Sequence, residues 1–145
     1  MKVVLQVVDN AKVEVEGKLH NEIGKGYLLL VGINKEDTLE KVKEMAVKIS
    51  KLRVFKDENG KTNLNIYAVN GEILSISQFT LCANTTGTNR PDFFHAAPRD
   101  MAISLYEAFN DELRKCDLTV KDGVFGEEMI VTLTNHGPFT LTLEL

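Results

Sequence analysis

Apolar and polar positions alternate from the first residues onward. Residues 2–8 (KVVLQVV) and 11–16 (AKVEVE) are β-branched and partly alternating. With Asp9-Asn10 between them as a turn signal, they predict two strands joined at that dipeptide. The short run YLLLVGI is bracketed by Gly24, Gly26 and Gly32, which predicts a strand buried on both faces. A helix follows. Asp37 is its predicted N-cap with Glu40 three residues on, and Leu39, Val42, Met45, Ala46, Ile49 and Leu52 recur at spacings of three and four. Lys41, Lys43, Glu44 and Lys48 form the opposite, solvated face.

Further on, Asp57-Glu58-Asn59-Gly60 predicts a turn and Asn70-Gly71 a hairpin. The hairpin leads into a strand over 72–81 (EILSISQFTL), whose Ser75, Ser77 and Thr80 interrupt an apolar pattern. Residues 82–98 form a loop long enough to be a functional element rather than a connector. A second helix is predicted from Arg99 to Cys116, burying Ala102, Leu105, Phe109, Leu113 and Cys116. The end reads as a hairpin, EEMIVTLTN and FTLTLEL around His136-Gly137-Pro138. Strands interrupted by two helices, without internal repeat or low-complexity linker, predict an α/β or α+β sheet packed by two helices.

The 145 residues fit one domain, 1–145, with 43% apolar side chains to build a core. Cys82 and Cys116 lack ligand or disulfide-scaffold spacing and read as reduced thiols. No signal-peptide run and no stretch of about 20 apolar residues occurs, so a cytoplasmic protein without a membrane partner is expected. Seventeen basic against 21 acidic residues give a net charge of −4, which argues against DNA or long RNA gripped through phosphates.

Familiar chemistry is missing from the chain. It has no Walker loop, GxGxxG, HExxH, GxSxG or deaminase-type zinc motif. Cys82 with His95 is a conceivable nucleophile pair that nothing completes, and Asp57/Glu58 and Glu127/Glu128 are adjacent, solvated carboxylates. Two segments remain. Ser77-Gln78-Phe79-Thr80-Leu81 ends a strand and enters the long loop, and Asn135-His136-Gly137-Pro138 forms a turn. Taken singly, each also reads as ordinary structure: hydroxyls bonded to backbone, and a Gly-Pro turn.

Together they resemble the signature motifs, SQFTL and NxGP(V/F)T, of the D-aminoacyl-tRNA deacylase family. The MKVVLQ start, the GxLLLVGI strand, Asn63-Leu64-Asn65, GTNRPDF and GVFGEEM resemble it in the same order, so the likeness spans essentially the whole chain. The resemblance implies an α/β fold with a β-rich mixed sheet, a barrel-like core and two packed helices. It implies a homodimeric hydrolase that cleaves the ester between a D-amino acid, or glycine, and the 3′-terminal adenosine of tRNA, with no cofactor and no metal. Phe79 and Thr80 would supply backbone amides, Ser77 and Gln78 would shape the pocket, and Met129 would line it. The terminal ribose hydroxyl of the RNA would help to activate water. Gly137-Pro138, in a cis bond, would enter from the partner subunit and reject L-amino acids.

Such a site needs no titratable side chain, because fixed amides can stabilise an oxyanion directly. Two positions depart from the family. Val7 stands where an Arg usually helps to hold the Gly-Pro segment, and His136 stands where Asp is common. Val7 donates no hydrogen bond, so looser chiral selectivity is expected. A same-fold paralogue clearing small L-amino acids, or a non-catalytic module binding the tRNA end, are the other readings. Arg90, Arg99 and the lysines of the first helix are candidates for a local RNA patch.

Overall fold

The computed structural model describes residues 1–145. β1 (Lys2–Val15) is one continuous strand rather than two. Asp9-Asn10 marks a register shift in it, not a turn. Val3, Leu5 and Val7 face one core, whereas Val8 and, beyond the shift, Ala11 and Val13 face another. A two-residue irregularity thus lets one strand serve two cores while Asp9 and Asn10 stay exposed. The true reversal comes at Glu16-Gly17, both at positive φ, where β1 turns into β2 (Lys18–Ile23).

β3 (Gly26–Gly32) pairs antiparallel with the first half of β1 and is buried nearly throughout, as its apolar run predicts. α1 (Leu39–Lys51) is capped by Thr38, whose side chain accepts from the Lys41 N–H, instead of by Asp37. Asp37 is buried and otherwise engaged: its carboxylate accepts from the Asn34 N–H at 2.7 Å and pairs with the Met1 ammonium. Val42, Met45, Ala46 and Ile49 face the core, whereas Leu39, outside the first turn's inward stripe, is exposed.

β4 (Phe55–Lys56) and β5 (Thr62–Leu64) form a small separate ladder around the expected 57–60 turn. Asn70-Gly71 makes a turn but no hairpin. β5 is committed to β4, and β6 (Glu72–Ser77) runs parallel to β3. Gly71 is needed for space, since a Cβ there would lie 2.7 Å from Ile66 Cγ1. The strand expected over 72–81 stops at Ser77, and Phe79–Cys82 coil into a 3₁₀ turn. The 84–92 loop is closed by the Asn84–Asp92 backbone pair.

α2 (Arg99–Lys115) buries Ala102, Tyr106, Phe109, Asn110 and Leu113; Leu105 and Cys116 are only partly covered. β7 (Val120–Asp122) adds parallel to β6. The terminal hairpin is not formed. β8 (Met129–Glu144) is a single strand lying antiparallel along the whole of β1, and residues 136–139 bulge out between Gln6↔Thr140 and Val8↔Asn135. The long ladder on β1 outcompetes a local turn, so the Gly-Pro insert becomes a bulge. The sheet order is β2-β1-β3-β6-β7 with β8 on β1. One face is covered by both helices, and the other curls over a second core containing Val8, Leu28, Leu74 and Ile76, nearly closing a barrel. No helix is long and apolar enough to cross a membrane.

Candidate active site

β6 ends at a cavity of about 530 Å³, which Arg99, Ala102 and Tyr106 of α2 also line. Its size suits a small-molecule or nucleotide-end ligand. Ser77, Gln78 and Phe79 line one side of it and Met129, at the start of β8, another. Eleven of the sixteen lining residues are hydrophobic, which suits an amino-acid side chain more than a phosphate. Arg99 and Glu127 are its charged members.

The chain is shaped locally to present backbone. Gln78 N–H still belongs to the sheet and donates to Val31 O at 2.7 Å. Leu81 is the first residue of the 3₁₀ turn to donate within it, to Gln78 O at 3.2 Å. The N–H groups of Phe79 and Thr80 precede that first donor and take part in none of the turn, loop or cap bonds. Thr80 does not line the cavity; its Oγ1 accepts from Gln78 Nε2. Phe79 is 57% exposed and packs on Phe93 of the long loop, ring centroids 4.9 Å apart.

Sequence reasoning missed most of the opposite wall. Tyr106, Phe125, Gly126, Ala96 and Ala97 line the cavity without any motif of their own to announce them. Burial raises the Tyr106 hydroxyl above its ordinary range, keeping it a donor, and it bonds Ser75 O at 2.8 Å. Tyr106→Phe is expected to cost about 1 kcal/mol of stability in urea melts, because the buried Ser75 carbonyl loses one of its two donors and keeps only the Gly123 N–H at 3.1 Å. Gly123 makes room for the methionine: a Cβ there would lie 2.6 Å from Met129 Sδ. Arg99 packs over the Phe125 ring at 5.6 Å and needs Gly126 to do so, since a Cβ on Gly126 would meet its guanidinium.

Gly137 and Pro138 are elsewhere. They occupy the β8 bulge, joined by a cis peptide bond, with Gly137 at φ +133°. Neither lines the cavity of the same chain. Gly137 borders a smaller cavity of about 90 Å³, together with Val7, Asp9, Phe55, His136 and Phe139. Cys82 and His95 do not complete a nucleophile: Cys82 Sγ is buried against Ile33 O, and burial raises its thiol. No group of three or more His, Cys, Asp or Glu side chains gathers where it could hold a metal. The cavity therefore has mostly apolar walls, and the 3₁₀ turn that starts at its Phe79 side leaves two main-chain N–H groups outside the turn, loop and cap bonds.

A family model described as D-Tyr-tRNA(Tyr) deacylase matches residues 4–144. A D-aminoacyl-tRNA deacylase of Lactobacillus acidophilus is 52% identical over 145 residues, covering both chains completely. Another, from Deinococcus deserti, is 48% identical over 145 residues, covering 100% of this chain and 99% of its own. A solved structure of a c-Myc DNA Unwinding Element Binding Protein is 42% identical, with a TM-score of 0.93 over 100% of this chain and 99% of that one. A probable eukaryotic D-amino acid tRNA deacylase, 17% identical, shares the fold with a TM-score of 0.86 over 99% of this chain and 98% of that one.

Proposed function

Because this chain belongs to the D-Tyr-tRNA(Tyr) deacylase family, a family of hydrolases, we propose that it edits charged tRNA by cleaving the ester between a D-amino acid, or glycine, and the 3′-terminal adenosine. The observation that carries the reading is the 3₁₀ turn at the cavity. The Phe79 and Thr80 amides are left without turn, loop or cap partners beside Ser77 and Gln78. The ester carbonyl lies under this turn, the two N–H groups stabilise the oxyanion, and water activated by the RNA's own ribose hydroxyl attacks. Gln78 fixes the Thr80 hydroxyl, which orients the turn rather than attacking. Met129 packs against the amino-acid side chain.

A second copy completes the site. β8 pairs with β1 on one edge only, and no residue along its sixteen is fully buried. Ile130 is 64% exposed. An open edge of this length is a template for pairing with another chain. The homodimer covers it and carries Gly137-Pro138 into the partner's cavity, where main-chain carbonyls leave room for hydrogen but not for an L side chain at Cα. Glycine, having no side chain, passes this filter.

The test is deacylation of D-tyrosyl-, glycyl-, L-tyrosyl- and L-alanyl-tRNA by the purified protein, with its mass measured in parallel. Release from the first two, by a dimer, supports the proposal. Release from none of the four overturns it, and preferential release of L-alanine favours the relaxed paralogue that Val7 raises. With a net charge of −4, the enzyme grips only the RNA end. The logarithmic salt slope of tRNA affinity is therefore expected to stay shallower than about −2, the value for roughly three phosphate contacts on a single strand. Titrating binding between low and physiological salt checks it.

A further inference from the structure

Residues 136–139 leave the β1–β8 ladder, so side chains must decide where they point. Gly137 has no side chain, and Pro138 has neither an N–H nor a polar side chain, so no side-chain hydrogen bond of their own holds them. Their direction rests on the residues that flank them. On the far side Phe139 N–H donates to Asn135 Oδ1 at 2.9 Å, and Asn135 Nδ2 donates to Thr140 Oγ1 at 2.9 Å, cinching the base of the bulge. On the near side the tie is His136, whose Nδ1 lies 2.9 and 3.0 Å from the two carboxylate oxygens of Asp9. A carboxylate only accepts, so Nδ1 carries the proton.

Asp9 reaches this place because β1 shifts register after Val8, turning Asp9 outward beside the bulge. Val7, which borders the same small cavity, is 6% exposed and offers no hydrogen-bonding group. The two departures from the family pattern, Val7 and His136, thus meet around one space.

We propose that Asp9 and His136 are positioning residues for chiral selection: their hydrogen bond aims Gly137-Pro138 and takes the place of a donor at position 7. The inference rests on the reading that this bulge enters the partner's cavity. Discrimination between mirror-image amino acids by main-chain atoms tolerates little displacement, since a misplacement of about 1 Å costs on the order of 10²-fold. The looser selectivity expected from Val7 alone is then offset by the pair. A purely structural role is disfavoured by exposure, because the side chains are 60% and 47% accessible and exposed pairs add little stability.

The experiment compares kcat/KM on D-tyrosyl- and L-tyrosyl-tRNA for wild type, Asp9→Ala, His136→Ala and His136→Gln, with melting temperature and dimer mass measured on each. Both alanine variants are expected to lower the D-to-L ratio by roughly 10- to 100-fold, through faster L-substrate hydrolysis. Their melting temperatures should stay within roughly 3 °C of wild type. His136→Gln, whose amide can still donate to Asp9, is expected to keep most of the ratio. An unchanged ratio in both alanine variants overturns the inference, as does a ratio lost only together with a collapse in melting temperature or dimer mass. A wild type that hydrolyses D-tyrosyl-tRNA without preference overturns it too. A wild type inactive on every aminoacyl-tRNA fails the deacylase reading itself, which separates the two failures.

Discussion

Phe79→Pro is expected to lower single-turnover release of D-tyrosine from tRNA by 10²- to 10³-fold, the usual cost of removing one oxyanion donor. Phe79→Ala is expected to lose no more than about tenfold, because it removes the ring and keeps the N–H. The comparison isolates one main-chain hydrogen. Proline is compatible with the first position of a helical turn, whose N–H has no helical partner in any case. Gln78 before it sits at φ −144° and ψ 79°, outside the helical region that a following proline forbids. The aromatic ring is mostly outside the core, so its loss perturbs the contact with Phe93 more than the fold. Thr80→Ala belongs with the mild variants, since the Thr80 hydroxyl is engaged by Gln78 and its amide survives the change. A proline variant that folds and turns over like the alanine variant would remove the main-chain donor from the mechanism.

The largest expected loss of stability is at Gly26→Ala. Gly26 has φ +156°, and a Cβ there would stand 2.6 Å from Glu72 N and 2.8 Å from Glu72 C. These are backbone atoms of the neighbouring strand and cannot swing aside as a side chain can. Gly26↔Glu72 is also the first pair of the parallel β3–β6 ladder, so any widening propagates. Tyr27 and Leu29 beyond it belong to one core and Leu28 to the other. Thermal and urea melts are expected to show a loss of more than about 4 kcal/mol, beyond the range of ordinary point mutations. For a chain of this size that lowers the melting temperature by roughly 10–15 °C. Gly24→Ala is the control, because nothing lies within 4 Å of its would-be Cβ. It should stay within about 0.5 kcal/mol of wild type. Equal melting of the two variants would show that the strands can separate there at little cost.

Local signals in the sequence were sound where local physics decides. The YLLLVGI run is a buried strand, and the three-and-four spacing from Val42 to Ile49 is a helix face. Errors fell where a distant partner outbid a neighbour. Asp9-Asn10 looks like a turn, but the β8 ladder continues past it. Asn70-Gly71 looks like a hairpin, yet the strand after it finds β3 in parallel. His136-Gly137-Pro138 looks like the tip of a hairpin, whereas β1 is long enough to hold both flanks in one line. Asp37 looks like a helix cap, but burial beside the Met1 ammonium takes its carboxylate away.

The candidate site divides in the same manner. Ser77–Phe79 and Met129 line one cavity, whereas Thr80, Gly137 and Pro138 do not line it. Tyr106, Phe125 and Ala97 came from unrelated segments, because apolar wall residues carry no pattern distinct from core. The Asp9–His136 bond depends on a register shift that no single-sequence periodicity reports.

β1 also decides how the molecule comes apart. It is hydrogen-bonded on both edges for most of its length, by β3 and then β2 on one side and by β8 on the other. It supplies Val3 and Leu5 to one core and Ala11 and Val13 to the second. Neither core can loosen without unzipping the strand that the other also needs. The two are therefore expected to open together, with the β1 amides the last to exchange with solvent deuterium in a native-state exchange experiment. A barrel-like half and a helix-covered half that look separable are in this sense one melting unit, coupled through a fourteen-residue strand.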